Sequence, residues 1–369
     1  MEIAIKMILK KTKIHSMKNL YKITLAIFFM AAVVMPVQES FGGNKDRSGQ
    51  AGATELLINP WAKTSGWGNA GSATVTGMEA IFGNVGGMAL TKGFDVGLTY
   101  TKYLSSADVD IFSFGLSSKV GESGAFGLSI MSMNFGTLDR TTTALPDDGA
   151  GTFNPSLMNI NLAYSRSFSN SIHGGIVIKM ISESVADATA TGVALDAGIQ
   201  YITGENENIK LGVALKNIGT PMRFSGDGLS VKSFLPGRVY ESSFTTEWRS
   251  EKFELPAQLN IGLGYDFLIG AESRFTLAGT FVSNSFTQDQ YILGGEFSMR
   301  EVLVLRAGYT YEDEMYSDYN LTLHKGFSGG FSVQVPLDKE KGTHIGIDYS
   351  FQATKTFNGI HRLGIRLTL

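Results

Sequence analysis

The chain has 369 residues, of which 43% are hydrophobic, 18% are charged and 44 are glycine, with a formal net charge of −3. Average proteins carry roughly 25% charged residues, so this charge-poor, glycine-rich chain is too hydrophobic to be disordered. It contains no cysteine, which excludes disulfides, cysteine-ligated zinc and thiol catalysis. Its slightly acidic balance lacks the basic footprint expected of a nucleic-acid-binding protein.

The first 42 residues predict a secretory signal peptide. Six lysines between residues 6 and 22 precede an apolar run over residues 23–37, and the small residues Ser40 and Gly42 follow it. This order of basic, apolar and small residues is typical of Sec signals. The alternative is a membrane anchor helix, but the run is shorter than the roughly 20 residues of a span, and Pro36 interrupts it. We therefore expect export by the Sec pathway and removal of residues 1–42.

Residues 43–92 precede the first predicted strand and differ in character from the rest. Residues 43–54 are small and polar, which indicates a flexible arm, and residues 56–89 mix apolar and small residues without a spanning pattern. The barrel predicted below has a lumen too wide for the side chains of its wall to fill. We therefore expect residues 43–92 to form an arm and a hatch, with residues 51–92 inside the lumen.

From residue 94 onward, almost every apolar stretch alternates with a period of two, which predicts β-strands. In the last stretch, Leu363, Ile365 and Leu367 fall on one face, with Arg362 and Arg366 on the other. Fourteen strands are predicted, at residues 94–103, 109–119, 124–135, 156–168, 172–182, 190–203, 208–218, 256–268, 273–284, 290–298, 302–312, 326–336, 344–353 and 358–369. Most are close in length to the ~9–11 residues that a tilted strand needs to cross a bilayer.

The connections between these strands alternate in length. Short turns such as 120–123 and 169–171 alternate with longer connections such as 136–155 and 219–255. Outer-membrane barrels have short periplasmic turns, longer external loops and an even number of strands. Because the bilayer core satisfies no backbone hydrogen bonds, a spanning sheet must close on itself. The sequence therefore predicts an all-β protein whose residues 93–369 form a 14-stranded antiparallel transmembrane β-barrel, in contact with the outer-membrane lipid of a Gram-negative cell.

Charged residues within the predicted strands carry information about the lumen. Contact with lipid would be costly for them, so we expect their side chains to face the barrel interior. They are Asp196, Glu296, Arg306, Asp348, Arg362 and Arg366. Pairing with one another or with the hatch is the simpler role for these charges, and binding of a ligand is the alternative.

Residues that could support catalysis are few. Residues 326–330 match the Gly-x-Ser-x-Gly elbow of hydrolases, but they lie within an alternating stretch and not between a strand and a helix. The five histidines are scattered without metal-ligand spacing. An acidic cluster over residues 312–318 is better explained as a solvated loop than as a calcium site. We predict no catalytic residues, no metal site and no cofactor, and a protein that is not an enzyme.

The longest connection, residues 219–255, carries many large apolar side chains for a segment exposed to water. Binding residues concentrate on loops held by a rigid scaffold, and exposed apolar groups are typical of partner surfaces. We predict that this connection binds a partner through Phe234, Leu235, Tyr240, Phe244 and Trp248. The alternative is that these side chains pack on each other or over the barrel mouth.

Several short stretches, in chain order, carry a family resemblance. They are Ala-Thr-Glu-Leu-Leu-Ile at 53–58, Gly-Trp-Gly-Asn-Ala-Gly-Ser-Ala-Thr at 66–74 and Asn-Val-Gly-Gly-Met-Ala at 84–89, followed by similar pieces at 193–198, 211–219 and 254–257. Together they resemble the N-terminal signature, central hairpin and next strand entry of the PorV/PorQ family. The sequence departs from that family at Trp67 and at Val85-Gly86, which leaves open a paralogue with another task.

The resemblance implies a fold like that of the FadL fatty-acid transporters, a fourteen-stranded barrel with an N-terminal hatch. It also implies a role in the type IX secretion system of Bacteroidetes-like bacteria. There the barrel would bind the C-terminal signal domain of cargo proteins at a large outer-membrane translocon barrel and shuttle them to the surface attachment complex. The motifs do not separate a PorV role from a PorQ role. The alternative function is a FadL-like transporter of hydrophobic compounds.

Overall fold

A computed structural model describes residues 43, 45–142, 146, 150–234, 243–270, 272–313, 315, 316, 322–338 and 342–369. The signal peptide predicted over residues 1–42 lies outside these residues and stays a prediction. Most of the described chain is strand, and its helical segments are only three to six residues long. None of the helical turns in the described residues has the length and hydropathy of a membrane span.

Long strands form the wall of the molecule. They are β1 (Phe94–Leu104), β2 (Val109–Val120), β3 (Gly124–Asn134), β4 (Ser156–Ser167), β5 (Ile172–Val185), β6 (Ala188–Thr203), β7 (Ile209–Gly219), β8 (Gln258–Ile269), β9 (Ser273–Asn284), β10 (Gln290–Met299), β11 (Leu303–Glu312), β12 (His324–Asp338), β13 (Thr343–Thr354) and β14 (Ile360–Thr368). Each pairs antiparallel with the next along the chain, and β14 returns to pair with β1 from Asp95↔Thr368 to Lys102↔His361. The predicted closed 14-stranded antiparallel barrel is confirmed in the described residues.

The observed strand ends differ from the predicted ones where backbone conformation intervenes. The last strand begins at Ile360 and not at Asn358, because Phe357, Asn358 and Gly359 all have positive φ and form a turn. The seven-residue connection predicted between the fifth and sixth strands is a two-residue turn, since β5 and β6 extend to Val185 and from Ala188. Alternation in hydropathy fades where a strand leaves the bilayer, although its backbone pairing continues.

The two ends of the barrel differ in their connections. One end carries short turns such as 121–123 and 270–272, together with the start of β1 and the end of β14, where the Phe94 N–H donates to the Leu369 carbonyl at 3.1 Å. We call it the short-turn end. The opposite end carries the connections 135–155, 220–257 and 313–323, and we call it the long-loop end.

The two faces of the wall have different chemistry. Along β14, Leu363 and Ile365 are exposed, whereas the alternate residues Arg362 and Arg366 are buried. The same alternation of exposed apolar and buried small or polar residues runs through most of the wall strands. An outward apolar face and a polar inward face are the arrangement that a lipid-embedded barrel requires.

Residues 51–92, which we call the N-terminal segment, pack against the inward-facing residues of the wall. Their helical turns are α1 (Ala62–Ser65) and α2 (Ala80–Gly83), with 3₁₀ turns at Thr54–Leu57, Gly77–Glu79 and Val85–Leu90. Trp61, Met78 and Met88 in this segment are almost fully buried. Hydrogen bonds tie it to strands far apart around the barrel, as from Thr280 to the Ala70 carbonyl at 2.8 Å and from Thr101 to the Pro60 carbonyl at 3.3 Å.

Glycines in the wall make room for this segment. A Cβ at Gly308 in β11 would lie 2.2 Å from the Trp67 carbonyl oxygen, and one at Gly212 in β7 would lie 2.5 Å from the Ser72 carbonyl oxygen. Both approaches are closer than any side chain allows, so only glycine fits at these two positions. The glycine-rich strands therefore let the segment lie directly against the wall.

Candidate functional site

The charged residues predicted to face the lumen are all buried, and most form ion pairs. Arg306 Nε lies 2.7 Å from Glu296 Oε2, and Arg366 Nε lies 3.7 Å from Asp348 Oδ2. Asp196 pairs with Lys179, whose Nζ lies 2.7 Å from its carboxylate. Each of these pairs joins neighbouring strands, so the simpler of the two predicted roles fits them. Arg362 is the exception, and its surroundings are described below.

The N-terminal segment contributes buried charges that the sequence analysis did not single out. Glu79 Oε2 accepts a hydrogen bond from the Thr64 N–H at 3.0 Å, and Lys63 lies close enough to interact with it electrostatically. Burial lowers the pKa of the Lys63 ammonium and raises the pKa of the Glu79 carboxyl, and each charge offsets part of the shift in the other. The sequence feature that could have identified Lys63 and Glu79 is that each is an isolated charged residue in a segment of small residues.

Glu55 occupies a less favourable position near the long-loop end. Its side chain is buried, and one carboxylate oxygen has no hydrogen-bond partner among the described residues. Burial, with the nearby charge of Glu183 adding to it, raises the pKa of the Glu55 carboxyl to about 7. This carboxyl therefore changes its protonation near neutral pH.

A cavity of about 790 Å³ lies toward the long-loop end of the lumen. The N-terminal segment forms part of its wall at Asn59 and Asn69, and inward-facing residues near the strand ends and in the loops form the rest. Amide side chains are prominent among these residues, as at Gln258, Asn284 and Gln288. The cavity therefore offers many hydrogen-bonding groups and one buried cation, Arg362.

The predicted partner-binding residues lie in and beside a hairpin, formed by strands Ser230–Phe234 and Ser243–Glu247, that the sequence analysis assigned to a loop. We call residues 229–234 and 243–248 the rim hairpin. Leu235 and Tyr240 lie outside the described residues. Phe234, Phe244 and Trp248 are exposed.

The register of the rim hairpin separates these residues into two faces. Val231 opposes Thr246 and Phe244 opposes Ser233, so Val231 and Phe244 share one face. The Trp248 N–H donates to the Leu229 carbonyl at 2.9 Å, which continues the pairing and places Trp248 on that face too. Phe234 lies on the other face, beside Lys232. The hairpin thus presents one exposed apolar face, made by Val231, Phe244 and Trp248.

Comparison with protein families identifies the chain. Residues 91–367 match the model of a family described as type IX secretion system membrane protein PorP/SprF. The chain belongs to the PorP/SprF family. The matched range covers all fourteen wall strands except Thr368, and fold and family together place this PorP/SprF protein in the outer membrane. No curated protein matches the chain significantly.

The prediction of a type IX outer-membrane protein is therefore confirmed at the level of the family. The narrower resemblance to PorV/PorQ is not confirmed. Three of its six stretches lie before residue 91 and so fall outside the range that matches PorP/SprF. That narrower assignment stays a prediction.

Solved structures with a similar fold are channels and transporters. The monoaromatic hydrocarbon channel CymD has a TM-score of 0.52 and 13% identity, over 84% of this chain and 97% of that chain. The Pseudomonas putida toluene transporter TodX has a TM-score of 0.51 and 13% identity, over the same shares. A Pseudomonas aeruginosa FadL homologue has a TM-score of 0.48 and 12% identity, over 83% and 96%. At this identity, CymD and TodX show a shared fold alone.

The Gly-x-Ser-x-Gly match does not form a nucleophile elbow in this PorP/SprF barrel. Residues 326–330 lie within β12, and the Ser328 hydroxyl is buried and donates to the Gly308 carbonyl at 3.3 Å. An elbow would instead present its serine at a sharp strand-to-helix turn. Family and fold are those of a secretion or transport barrel.

Proposed function

We propose that this PorP/SprF barrel serves type IX secretion by binding proteins at its long-loop end, without conducting small molecules through its lumen. The observation that carries the proposal is the apolar face of the rim hairpin. Val231, Phe244 and Trp248 are exposed on a backbone that is already hydrogen-bonded. Binding a partner therefore immobilises few additional rotatable bonds, which keeps its entropic cost low. Aromatic side chains of this kind dominate the centres of protein interfaces.

The N-terminal segment supports the proposal by acting as a hatch. Its buried turns, the glycine contacts and the hydrogen bonds to opposite strands occupy the barrel interior. A packed interior has low compressibility and gives the loops a rigid base. We assign residues 43–92 to an arm and hatch, residues 93–369 to the barrel, and residues 1–42 to a Sec signal peptide that brings the chain to the outer membrane of a Bacteroidetes-like cell.

The specific partners follow from the PorV-like resemblance. We propose that the rim hairpin contacts either the large translocon barrel or the C-terminal signal domain of a cargo protein. In the fuller form of this proposal, the barrel accepts cargo at the translocon and shuttles it to the surface attachment complex. The family description, which names a type IX secretion membrane protein, supports the export role.

A second candidate is transport of hydrophobic compounds, as the similar folds of a monoaromatic hydrocarbon channel and a toluene transporter suggest. The lining of the cavity speaks against it. An apolar ligand would leave Gln288 Oε1 and Arg362 Nη1, which make no hydrogen bond to the described residues, still without a partner. Transport therefore ranks second.

Complementation of a gene deletion tests the export proposal. The double variant Phe244→Ser/Trp248→Ser removes the aromatic groups of the hairpin face without touching the barrel. We expect proteins with a C-terminal signal domain to accumulate in the periplasm of cells that carry only this variant. The matched control is Phe168→Ser, which removes an exposed aromatic side chain at the short-turn end and should restore secretion.

The outcomes separate the parts of the proposal. Normal secretion by the deletion strain would contradict the export role, and loss of growth on a hydrophobic carbon source would then favour transport. If secretion is blocked in the deletion strain and the double variant restores it, the export role stands. The apolar face of the hairpin would then not be needed for that role.

A further inference from the structure

Arg362 is a buried cation without an anionic partner among the described residues. Its side chain is 2% exposed, and its two hydrogen bonds run from Nε to the Asn59 carbonyl at 3.0 Å and from Nη2 to Gln352 Oε1 at 3.2 Å. Both acceptors are neutral. Its Nη1 atom has no hydrogen-bond partner, and no carboxylate of the described residues forms an ion pair with it.

The neighbouring luminal arginines both have a carboxylate partner. Arg306 lies 2.7 Å from Glu296, and Arg366 lies 3.7 Å from Asp348, although Nε and Nη2 of Arg366 make no hydrogen bond to the described residues. Removing a charge from water without a partner costs several kcal/mol, so unpaired buried charges are rare in proteins. A ligand that supplies the missing negative charge would account for the exception at Arg362.

Other residues with unpartnered polar atoms line the same cavity. His324 Nδ1 on β12 and Gln288 Oε1 in the connection before β10 are buried and make no hydrogen bond to the described residues. His324 also lies close enough to Arg362 to interact with it electrostatically. Residues with unsatisfied polar atoms on three elements thus line one space of about 790 Å³. That volume is within the roughly 300–1,000 Å³ of typical ligand pockets.

We propose that this cavity binds a polar peptide segment whose carboxylate pairs with Arg362. The inference deepens the proposed function and rests on it for the choice of a peptide. Peptide groups both donate and accept hydrogen bonds, as do the amide side chains of Asn59, Gln258 and Gln288 that face the cavity. A guanidinium binds a carboxylate with directed, charge-assisted hydrogen bonds.

The remaining charged groups of the cavity favour a segment with a single acidic residue. Asp46 and Glu312 also line the cavity and would repel a highly acidic ligand. Glu312 accepts a hydrogen bond from Gln290 Nε2 at 3.1 Å. The preferred peptide therefore carries one carboxylate among neutral polar residues.

Binding to the purified full-length barrel in detergent tests the proposal. The probe is a fluorescent hexapeptide, capped at both ends, with the sequence Ser-Asn-Asp-Gly-Asn-Ser, and its partner has Asn in place of Asp. We expect the wild-type barrel to bind the Asp peptide more tightly by roughly 10- to 100-fold, the effect of one hydrogen-bonded charge pair. Arg362→Met should bind both peptides equally weakly.

Two further variants keep the test decisive. Arg366→Met removes an arginine that already has a carboxylate partner, so it should retain the preference for the Asp peptide. His324→Ala leaves Arg362 in place and should weaken binding of the Asp peptide by about 3- to 10-fold, which carries the test if Arg362→Met does not fold.

Three results would overturn the proposal. The first is equal binding of the two peptides by the wild-type barrel, and the second is an Arg362→Met variant that still prefers the Asp peptide over the Asn peptide. The third is a barrel that binds a trigalacturonate probe through Arg362 and does not bind the peptide. The assay measures peptide binding to the purified barrel and not secretion by cells, so a negative result would leave the export role unaffected. Normal secretion by the deletion strain would contradict the export role independently of this assay.

Discussion

Arginines toward the two ends of the lumen differ in whether they form an ion pair. Arg362 and Arg366 lie on the same face of β14, four residues apart, yet among the described residues Arg366 has a carboxylate partner and Arg362 has none. Toward the short-turn end the N-terminal segment and ion pairs fill the space, whereas toward the long-loop end a polar cavity remains. We infer that the ion pairs and the N-terminal segment hold the barrel together and that the cavity beside Arg362 is available for binding.

The largest expected effect comes from breaking a satisfied pair. Glu296→Ala leaves the guanidinium of Arg306 buried with only the Ser332 hydroxyl, 2.5 Å from its Nη1, as a close partner. We expect the free energy of unfolding to fall by roughly 3–5 kcal/mol. Urea unfolding in lipid vesicles, followed by tryptophan fluorescence, measures it.

The matched control for this variant is an exposed pair at the short-turn end. Arg300 and Glu272 are 2.6 Å apart but 72% and 63% exposed, so Arg300→Ala should change little. The double variant Glu296→Met/Arg306→Met should recover most of the loss, because no charge is then left unpaired. Equal effects of Glu296→Ala and Arg300→Ala would contradict the stabilising role of the luminal pairs.

A second expected effect depends on pH. The Glu55 carboxyl has a pKa of about 7 in the folded barrel and near 4.5 when unfolded, so the folded state holds its proton more tightly between these values. The free energy of unfolding should therefore fall by about 3 kcal/mol as pH rises from 4.5 to above 7. Urea midpoints measured at pH 4.5 and 8 should show that Glu55→Gln removes this fall.

The exposed Glu254→Gln serves as the control for Glu55→Gln and should keep the wild-type pH profile. At pH 8, Glu55→Gln should be more stable than the wild type, since it buries no charge. An identical pH profile for the wild type and Glu55→Gln would show that this carboxyl ionises normally in the barrel.

A smaller effect should come from the contact between wall and N-terminal segment. Gly308→Ala places a methyl group against the Trp67 carbonyl, and we expect a loss of roughly 1–3 kcal/mol in the free energy of unfolding. Gly279→Ala is the matched control, since its new Cβ would meet only the Ile292 carbonyl oxygen, at 3.6 Å. Indistinguishable urea midpoints would mean that residues 51–92 do not press on the wall.

The smallest effect is expected at the arm. Arg47 pairs with Glu254 at 3.0 Å near the long-loop end, but both side chains are substantially exposed. Arg47→Ala should therefore cost less than about 1 kcal/mol overall. Hydrogen exchange should nevertheless become faster at residues 47–52, and unchanged exchange there would indicate that the backbone bond from the Gly52 N–H to the Glu254 carbonyl holds the arm by itself.

Much of the fold could be predicted from the sequence because it depends on local patterns and on the bilayer. A period of two, strand lengths near the span of a membrane and alternating connection lengths were enough for fourteen strands and a closed sheet. The same alternation predicted that the side chains of Glu296, Arg306 and Arg362 face the lumen. The type IX secretion class came instead from the resemblance of short stretches to the PorV/PorQ family, and the PorP/SprF match supports that class.

The candidate site depended on tertiary structure. Alternation assigns a side chain to a face, but the partner of that side chain depends on register and on the path of residues 51–92. The hydrogen bond from Arg362 to the Asn59 carbonyl joins residues 303 positions apart, and Lys179 meets Asp196 because β5 and β6 pair in one register. Only the folded chain therefore distinguishes the paired arginines from the unpaired one, since a charge is satisfied by its neighbours in space and not by its neighbours in sequence.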